Sequence, residues 1–170
     1  MKKEICTKSW HKILIQSAPA SIRSVSDNDF KRIIKRIIDI ERNSFEYPWL
    51  YCDFYSVLHE NGSCCYVVEC DGLIIGYAVI KNYPDCVELY SIAVDEDHRK
   101  HKMASLMINM LKIKLQMERK KYIFLYVSEY NVAAQLFLRK MKFIATSVIR
   151  DCYMQGHGAY YMVFDLSEQI

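Results

Sequence analysis

Residues 98–104 read His98, Arg99, Lys100, His101, Lys102, Met103 and Ala104. They join a β-branched stretch, "SIAV" (91–94), to a helix-periodic one, "MASLMINMLKIKLQM" (103–117). A strand that turns through a basic loop into a helix makes an anion site, because the first N–H groups of a helix lack partners and its dipole favours negative charge. Turns that bind phosphate commonly carry glycines, and this one carries none. Two readings stay open on the residues alone: a site for a phosphate-bearing cofactor, or a solvated basic loop. The seven cysteines (Cys6, Cys52, Cys64, Cys65, Cys70, Cys86, Cys152) have no C-x-x-C spacing, and an odd number cannot pair completely within one chain. They read as reduced structural thiols, and no Cys or His pair has the local spacing that a structural zinc site favours.

The elements that must position this turn follow from the rest of the chain. At 170 residues with 52% hydrophobic composition, one globular domain with a sizeable core is expected. The net charge of +3 is too slight for a nucleic-acid partner. No apolar run approaches the roughly 20 residues of a membrane helix. The opening "MKKEICTKSWHK" has lysines with no apolar stretch behind them, so a cytoplasmic protein with no membrane partner is expected.

"SIRSV" (21–25) reads as a short strand, after an extension over residues 1–20 in which "KILI" (12–15) could add an edge strand. "SDNDF" then offers caps for a helix with Phe30, Ile33, Ile34, Ile37 and Ile38 inward. A break at "YPWL" (47–50) precedes a second helix that ends near Gly62, a residue suited to a left-handed cap. Asp71-Gly72 joins "CCYVVEC" to "LIIGYAVI" as a tight antiparallel hairpin, and "VELYSIAV" (87–94) is a third strong strand. Met103, Leu106, Met107, Met110 and Leu111 form the core stripe of the next helix, which leads to the strand "YIFLYV" (122–127). Strand, helix and strand over 87–127 make a βαβ-like crossover with parallel strands. Asn131 then caps a helix over 132–141 with Ala133, Ala134, Phe137 and Met141 inward, and two strands (143–149 and 159–166) close the chain.

This order, with five local signatures in sequence, resembles the GNAT acetyltransferase superfamily, and within it the RimI and Ard1 type of protein N-terminal acetyltransferases. The signatures are the opening strand and helix ending in "FEYPW", the hairpin "DGLIIGYAVI", "LYSIAVDEDHRKHKMASLMINML", "YVSEYNVAAQLFLRKMKF" and "CYMQGHGAYYMVFDL". They span about residues 21–166, with residues 1–20 as an N-terminal extension and 21–170 as the domain. The resemblance implies an α/β (α+β) GNAT fold: a mixed, splayed sheet of about seven strands with four helices, and acetyl-CoA wedged between the fourth and fifth strands. Its cofactor turn is Arg or Gln, two residues, Gly, one residue, Gly or Ala. Arg99 and Ala104 match, while Lys102 stands at the glycine.

The resemblance also implies roles. Arg99, Lys100, Lys102, Met103 and Ala104 fall on the pyrophosphate turn, and Asn131 matches an asparagine beside the pantetheine arm, although an N-cap explains it equally well. The backbone N–H groups around Ile92, Ala93 and Val94 would stabilise the oxyanion. Glu88 falls where several relatives carry a catalytic Glu or Tyr, so it is a candidate general base, the bland alternative being a strand-edge carboxylate facing water. Tyr126 takes the position of a Glu or His in relatives, but with an ordinary pKa of about 10 it is a poor base at neutral pH and reads better as an amide-orienting group or cleft wall. Leu138 replaces the tyrosine that relatives use to protonate the leaving thiolate, and Lys142 replaces a glycine. Phe45, Tyr47, Trp49, Tyr153 and Tyr160 are expected to clasp the acceptor. The implied activity is acetyl-CoA-dependent N-acetylation of the α-amino group of a peptide or protein N-terminus, a ribosomal protein among the candidates. The alternatives are a small-molecule amine acetyltransferase and a catalytically degenerate GNAT-fold binding or regulatory domain.

Overall fold

The computed structural model describes residues 10–15, 18–153 and 156–169. They fall into two compact units, one holding the chain up to Lys81 together with Ser91–Met110, the other holding Asn82–Tyr90 and the chain from Leu111 onward.

The first unit is built on antiparallel strands. Strand β1 (Trp10–Ile15) pairs with β2 (Ala18–Ser24), placing Ile13 opposite Ala20, so the "KILI" stretch does form an edge strand. Strand β2 pairs with β3 (Ser63–Cys70), and β3 with β4 (Leu73–Asn82). Asp71 (φ 50°) and Gly72 (φ 77°) both lie in the left-handed region, as a two-residue hairpin of right-handed twist requires. Next in order comes β5 (Cys86–Val94), whose last four residues belong to this unit.

Helix α1 (Asp27–Arg42) starts at Ser26, whose hydroxyl accepts the Asp29 N–H. Its buried face is Phe30, Ile34, Ile37, Ile40 and Glu41, with Ile33 and Ile38 only half-buried. A 3.6-residue period carries the stripe forward to Ile40 and Glu41. Helix α2 (Tyr51–His59) ends at Glu60 in an extended conformation. The expected glycine cap is therefore absent there, and Gly62 (φ 88°) serves the turn into β3 instead.

The second unit carries the parallel part of the mixed sheet. Helix α3 (Met103–Met117) buries Met103, Met107, Ile108, Met110, Leu111 and Leu115, and passes the chain from one unit to the other. Strand β6 (Tyr122–Ser128) runs parallel to β5, but the ladder covers only Cys86–Glu88 against Tyr122–Phe124. Strand order continues through β8 (His157–Asp165) to β7 (Ile144–Tyr153), both pairings antiparallel. Helix α4 (Val132–Lys140) turns Leu138 inward at 2% exposure and leaves Ala133 exposed, one position away from the expected face. Leu138 and Phe143 are the buried large apolar groups of this segment, and burying them outweighs burying an alanine.

Both long connections out of helices end in the same device. Lys120 N–H bonds to Leu115 C=O and Arg119 N–H to Gln116 C=O, while Phe143 N–H bonds to Leu138 C=O and Lys142 N–H to Arg139 C=O. This is the paired bonding of a Schellman cap, and it places Arg119 (φ 55°) and Lys142 (φ 66°) in the left-handed region that glycine usually fills. Lys142 thus keeps the backbone of the glycine it replaces.

Candidate active site

The turn from β5 to α3, in the first unit, begins with a pinned carboxylate. Asp95 accepts from Arg36 Nη2 at 2.5 Å and meets His98 Nδ1 at 3.2 Å, while Arg36 Nε donates to Ile74 C=O at 3.0 Å. Burial alone would raise the Asp95 carboxyl, but Arg36 and His98 hold it below the usual carboxylate range. Asp95 N–H bonds to Ile75 C=O, which fixes the end of β5 against β4.

Beyond this anchor, the backbone alternates in the sign of φ: Arg99 at −68°, Lys100 at +65°, His101 negative and Lys102 at +65°. Positive φ at Lys100 and Lys102 is the left-handed half of the αR-αL pairs that form anion-seeking nests, while Arg99 before them is extended at ψ 161°. The turn leads directly into the first turn of α3, where Leu106 N–H reaches Lys102 C=O and the preceding N–H groups have no acceptor within the helix. The Lys100, His101 and Lys102 side chains are all exposed. Lysine at the glycine position therefore leaves the turn in the glycine conformation, with Met103 buried as the first anchor of the helix and Ala104 beside it half-buried.

Arg99 does not point freely into this turn. Its Nε donates to Val94 C=O at 3.0 Å, and its Nη2 donates to Ser44 Oγ at 3.0 Å and Asn43 C=O at 3.3 Å. The guanidinium fork thus ties the turn to the C-terminal end of α1. On β5, Ala93 and Val94 are buried and Ile92 is half-buried. Gly76 on β4 lies so close that a Cβ there would stand 3.0 Å from the Ala93 carbonyl oxygen, a contact that would push the two backbones apart by a few tenths of an ångström.

The loop after α1 is organised by Glu41, which sequence reasoning did not single out. Glu41 is 2% exposed, accepts the Trp49 N–H at 2.9 Å, and receives the Tyr77 and Ser91 hydroxyls. Burial pushes its carboxyl up to about 7, against the opposing pull of the Trp49 N–H and Ser91. Trp49 also packs edge-on against Phe54, with centroids 5.2 Å apart, and Phe54 against Tyr77 at 5.7 Å. Trp49 is therefore an anchor of the loop, Phe45 is half-buried, and Tyr47 is exposed and available to a ligand.

In the second unit, Glu88 lies on β5 in register with Phe124 of β6. It is buried at 8% exposure, and its Oε2 accepts the Tyr83 hydroxyl at 2.9 Å. The reading of Glu88 as a water-facing edge residue is thereby set aside. Burial, followed by the bond to Glu88, raises the Tyr83 phenol and keeps it a donor. Tyr126 is 39% exposed and pairs across strands with Tyr161, their rings 5.3 Å apart.

Asn131 caps α4, its Oδ1 accepting Ala134 N–H at 3.0 Å. Its neighbour Glu129 clasps the β7–β8 hairpin: its backbone N–H bonds to Gly158 C=O, and its carboxylate accepts Gly158 N–H at 2.8 Å. A Cβ at Gly158 would stand 3.2 Å from that carboxylate, so a larger residue would shift the clasp by a few tenths of an ångström. Tyr160 is half-buried in β8 opposite Val127 and Val148. Tyr153 ends β7, and its side chain lies outside the described residues.

Tyr83, Glu41 and Glu129 were missed because none belongs to a local motif. For Glu41 a signal existed, since a lone carboxylate in an apolar helical stripe must find hydrogen bonds. The chain is 29% identical to the N-alpha-acetyltransferase of Sulfolobus acidocaldarius, over 78% of this chain and 87% of that protein. Its fold is similar to that of the ribosomal-protein-S18-alanine N-acetyltransferase from Escherichia coli (TM-score 0.76, 21% identity, 86% of this chain and 94% of that one). It is also similar to Ard1 from Thermoplasma volcanium (TM-score 0.77, 20% identity, 86% and 97%). The sequence profile of the Acetyltransferase (GNAT) family matches residues 34–143, well over half of the sequence, and the chain belongs to that family.

Proposed function

We propose that the chain is an acetyl-CoA-dependent N-acetyltransferase of the RimI and Ard1 type, acting on the α-amino group of a protein N-terminus. The observation that carries this reading is the turn Arg99–Lys102. It places two left-handed residues, Lys100 and Lys102, directly before the N-terminus of a 15-residue helix although every residue in it has a side chain. The residues fit a pyrophosphate: the N–H groups of the turn and of Met103 and Ala104 are the donors, and the exposed ammonium groups of Lys100 and Lys102 add charge-assisted contacts. Acetyl-CoA, when bound, supplies a thioester-activated acyl group.

The chain's own residues then do the following. Glu88 accepts the proton of the acceptor amine, directly or through water, and Tyr83 orients its carboxylate. Backbone N–H groups at Ile92–Val94, on the same strand as Glu88, stabilise the oxyanion. Leu138 is buried and carries no proton, so water or Tyr130, 67% exposed, protonates the leaving thiolate. Phe45, Tyr47, Trp49, Tyr153 and Tyr160 are the proposed clasp for the acceptor. Among the described residues, no helix is long and apolar enough to cross a membrane. Seven cysteines without a pairing pattern support a cytoplasmic location.

The test is acetyl transfer to a panel of short peptides by wild type and Glu88→Gln. A 10²–10⁴-fold loss of kcat in the variant, with acetyl-CoA affinity unchanged, is the effect of removing a general base. Transfer to free amines with none to any peptide would point to the small-molecule reading. Absence of acetyl-CoA binding would refute the enzyme reading altogether.

A further inference from the structure

Along β6, Ile123, Leu125 and Val127 face the core, and the alternate residues are Tyr122, Phe124 and Tyr126. The half-exposed face of a sheet strand is ordinarily polar; here it is aromatic. Phe124 is the hub: its ring lies 6.3 Å from Tyr83, 6.1 Å from Tyr122, 6.2 Å from Tyr126 and 5.4 Å from Tyr161. The five rings and Asp85 line an open cavity of about 430 Å³ in the second unit. Among the described residues no lysine, arginine or histidine lines it, and Asp85 in its lining is exposed. Glu88, outside the lining, accepts the hydroxyl of Tyr83.

We propose that this cavity binds the ammonium or guanidinium group of a lysine or arginine side chain in the acceptor polypeptide. The proposal rests on the acetyltransferase reading and adds a substrate class to it. Aromatic faces carry negative quadrupole potential and attract such cations, Arg most often, whereas a neutral aliphatic side chain would gain only apolar contact. Charge complementarity selects the cation: one carboxylate lies in the lining, a second is hydrogen-bonded to a lining phenol, and among the described residues no cation lies in the lining. Burial, then Tyr126, Cys86 and Glu88, raise the Tyr161 phenol, and Cys86, burial and Asp85 are among the causes that raise Tyr122. Both phenols therefore stay neutral and present their faces and hydroxyls to a guest.

The experiment uses the full chain and two probes. Butylguanidinium and its neutral counterpart butylurea are titrated while the ring resonances of Tyr122, Phe124 and Tyr126 are followed by NMR. Peptides differing only in Lys against norleucine, scanned over positions two to five, are then titrated by calorimetry and assayed for acetylation. Butylguanidinium should move the ring signals and butylurea should not, Asp85→Asn should weaken the cation about threefold or more, and Phe124→Leu should abolish its binding with the fold intact by circular dichroism. One Lys position should bind about tenfold tighter than norleucine. Equal binding of the two small probes, or no Lys preference at any position, would overturn the proposal. Acetylation of neutral peptides would still stand if the cavity proposal failed, and probe binding without acetylation of any peptide would refute the acetyltransferase reading together with the acceptor assigned to the cavity.

Discussion

Replacing Lys102 with glycine separates a turn that is strained but functional from one that is blocked. Lys102 sits at φ +65°, where an L-residue costs about 1–2 kcal/mol relative to its preferred conformation. Glycine removes that strain and returns about 0.5–1 kcal/mol through its greater freedom in the unfolded chain. The net is a stabilisation of about 0.5–1 kcal/mol, because the side chain is exposed and, among the described residues, enters no ion pair. For a chain of this size each kcal/mol moves Tm by about 2–4 °C, so scanning calorimetry should show a rise of about 1–4 °C. Acetyl-CoA at about 100 times its Kd should add a further ~2.7 kcal/mol to wild type and variant alike. If Lys102→Gly melts lower than wild type, the strain argument is wrong. If only the variant responds to acetyl-CoA, the lysine is a plug, and the anion site inferred from the backbone does not operate in the native chain.

Three further outcomes follow from the same geometry. The Glu41 carboxyl, at about 7 in the folded protein against 4.5 unfolded, gives stability that is fully present below pH 4.5 and is lost as pH rises through 7, by about 3 kcal/mol. Glu41→Gln keeps an acceptor for the Trp49 N–H and should flatten this loss in urea unfolding at pH 5 and pH 8; parallel losses in both proteins would exclude Glu41 as the source. Asn131→Ala should cost about 1 kcal/mol through the lost cap, and Asn131→Ser should restore stability. An acetyl-CoA affinity that falls in both variants would show a ligand contact beyond the cap. Arg99→Lys breaks the fork to Val94, Asn43 and Ser44, so KM for the peptide should rise severalfold in steady-state kinetics; a change confined to acetyl-CoA would mean that Arg99 serves the cofactor alone.

What the sequence determined by itself was local. The helical stripes, the Asp71-Gly72 hairpin and the basic strand-to-helix turn are set by side-chain period and turn chemistry within a few residues, and they were legible together with the family they resemble. The identity of residue 102 left two readings of the turn open, because sequence does not report φ. The tertiary structure decided that a lysine holds the glycine conformation there, as Arg119 and Lys142 do at the ends of two helices. Partners far apart in the chain were equally hidden: Arg99 with Ser44, Glu41 with Tyr77 and Ser91, and the rings gathered around Phe124. Burial and hydrogen-bond satisfaction belong to the packed molecule, since a carboxylate such as Glu41 acquires its raised affinity for a proton only when strands from elsewhere in the chain exclude water from it.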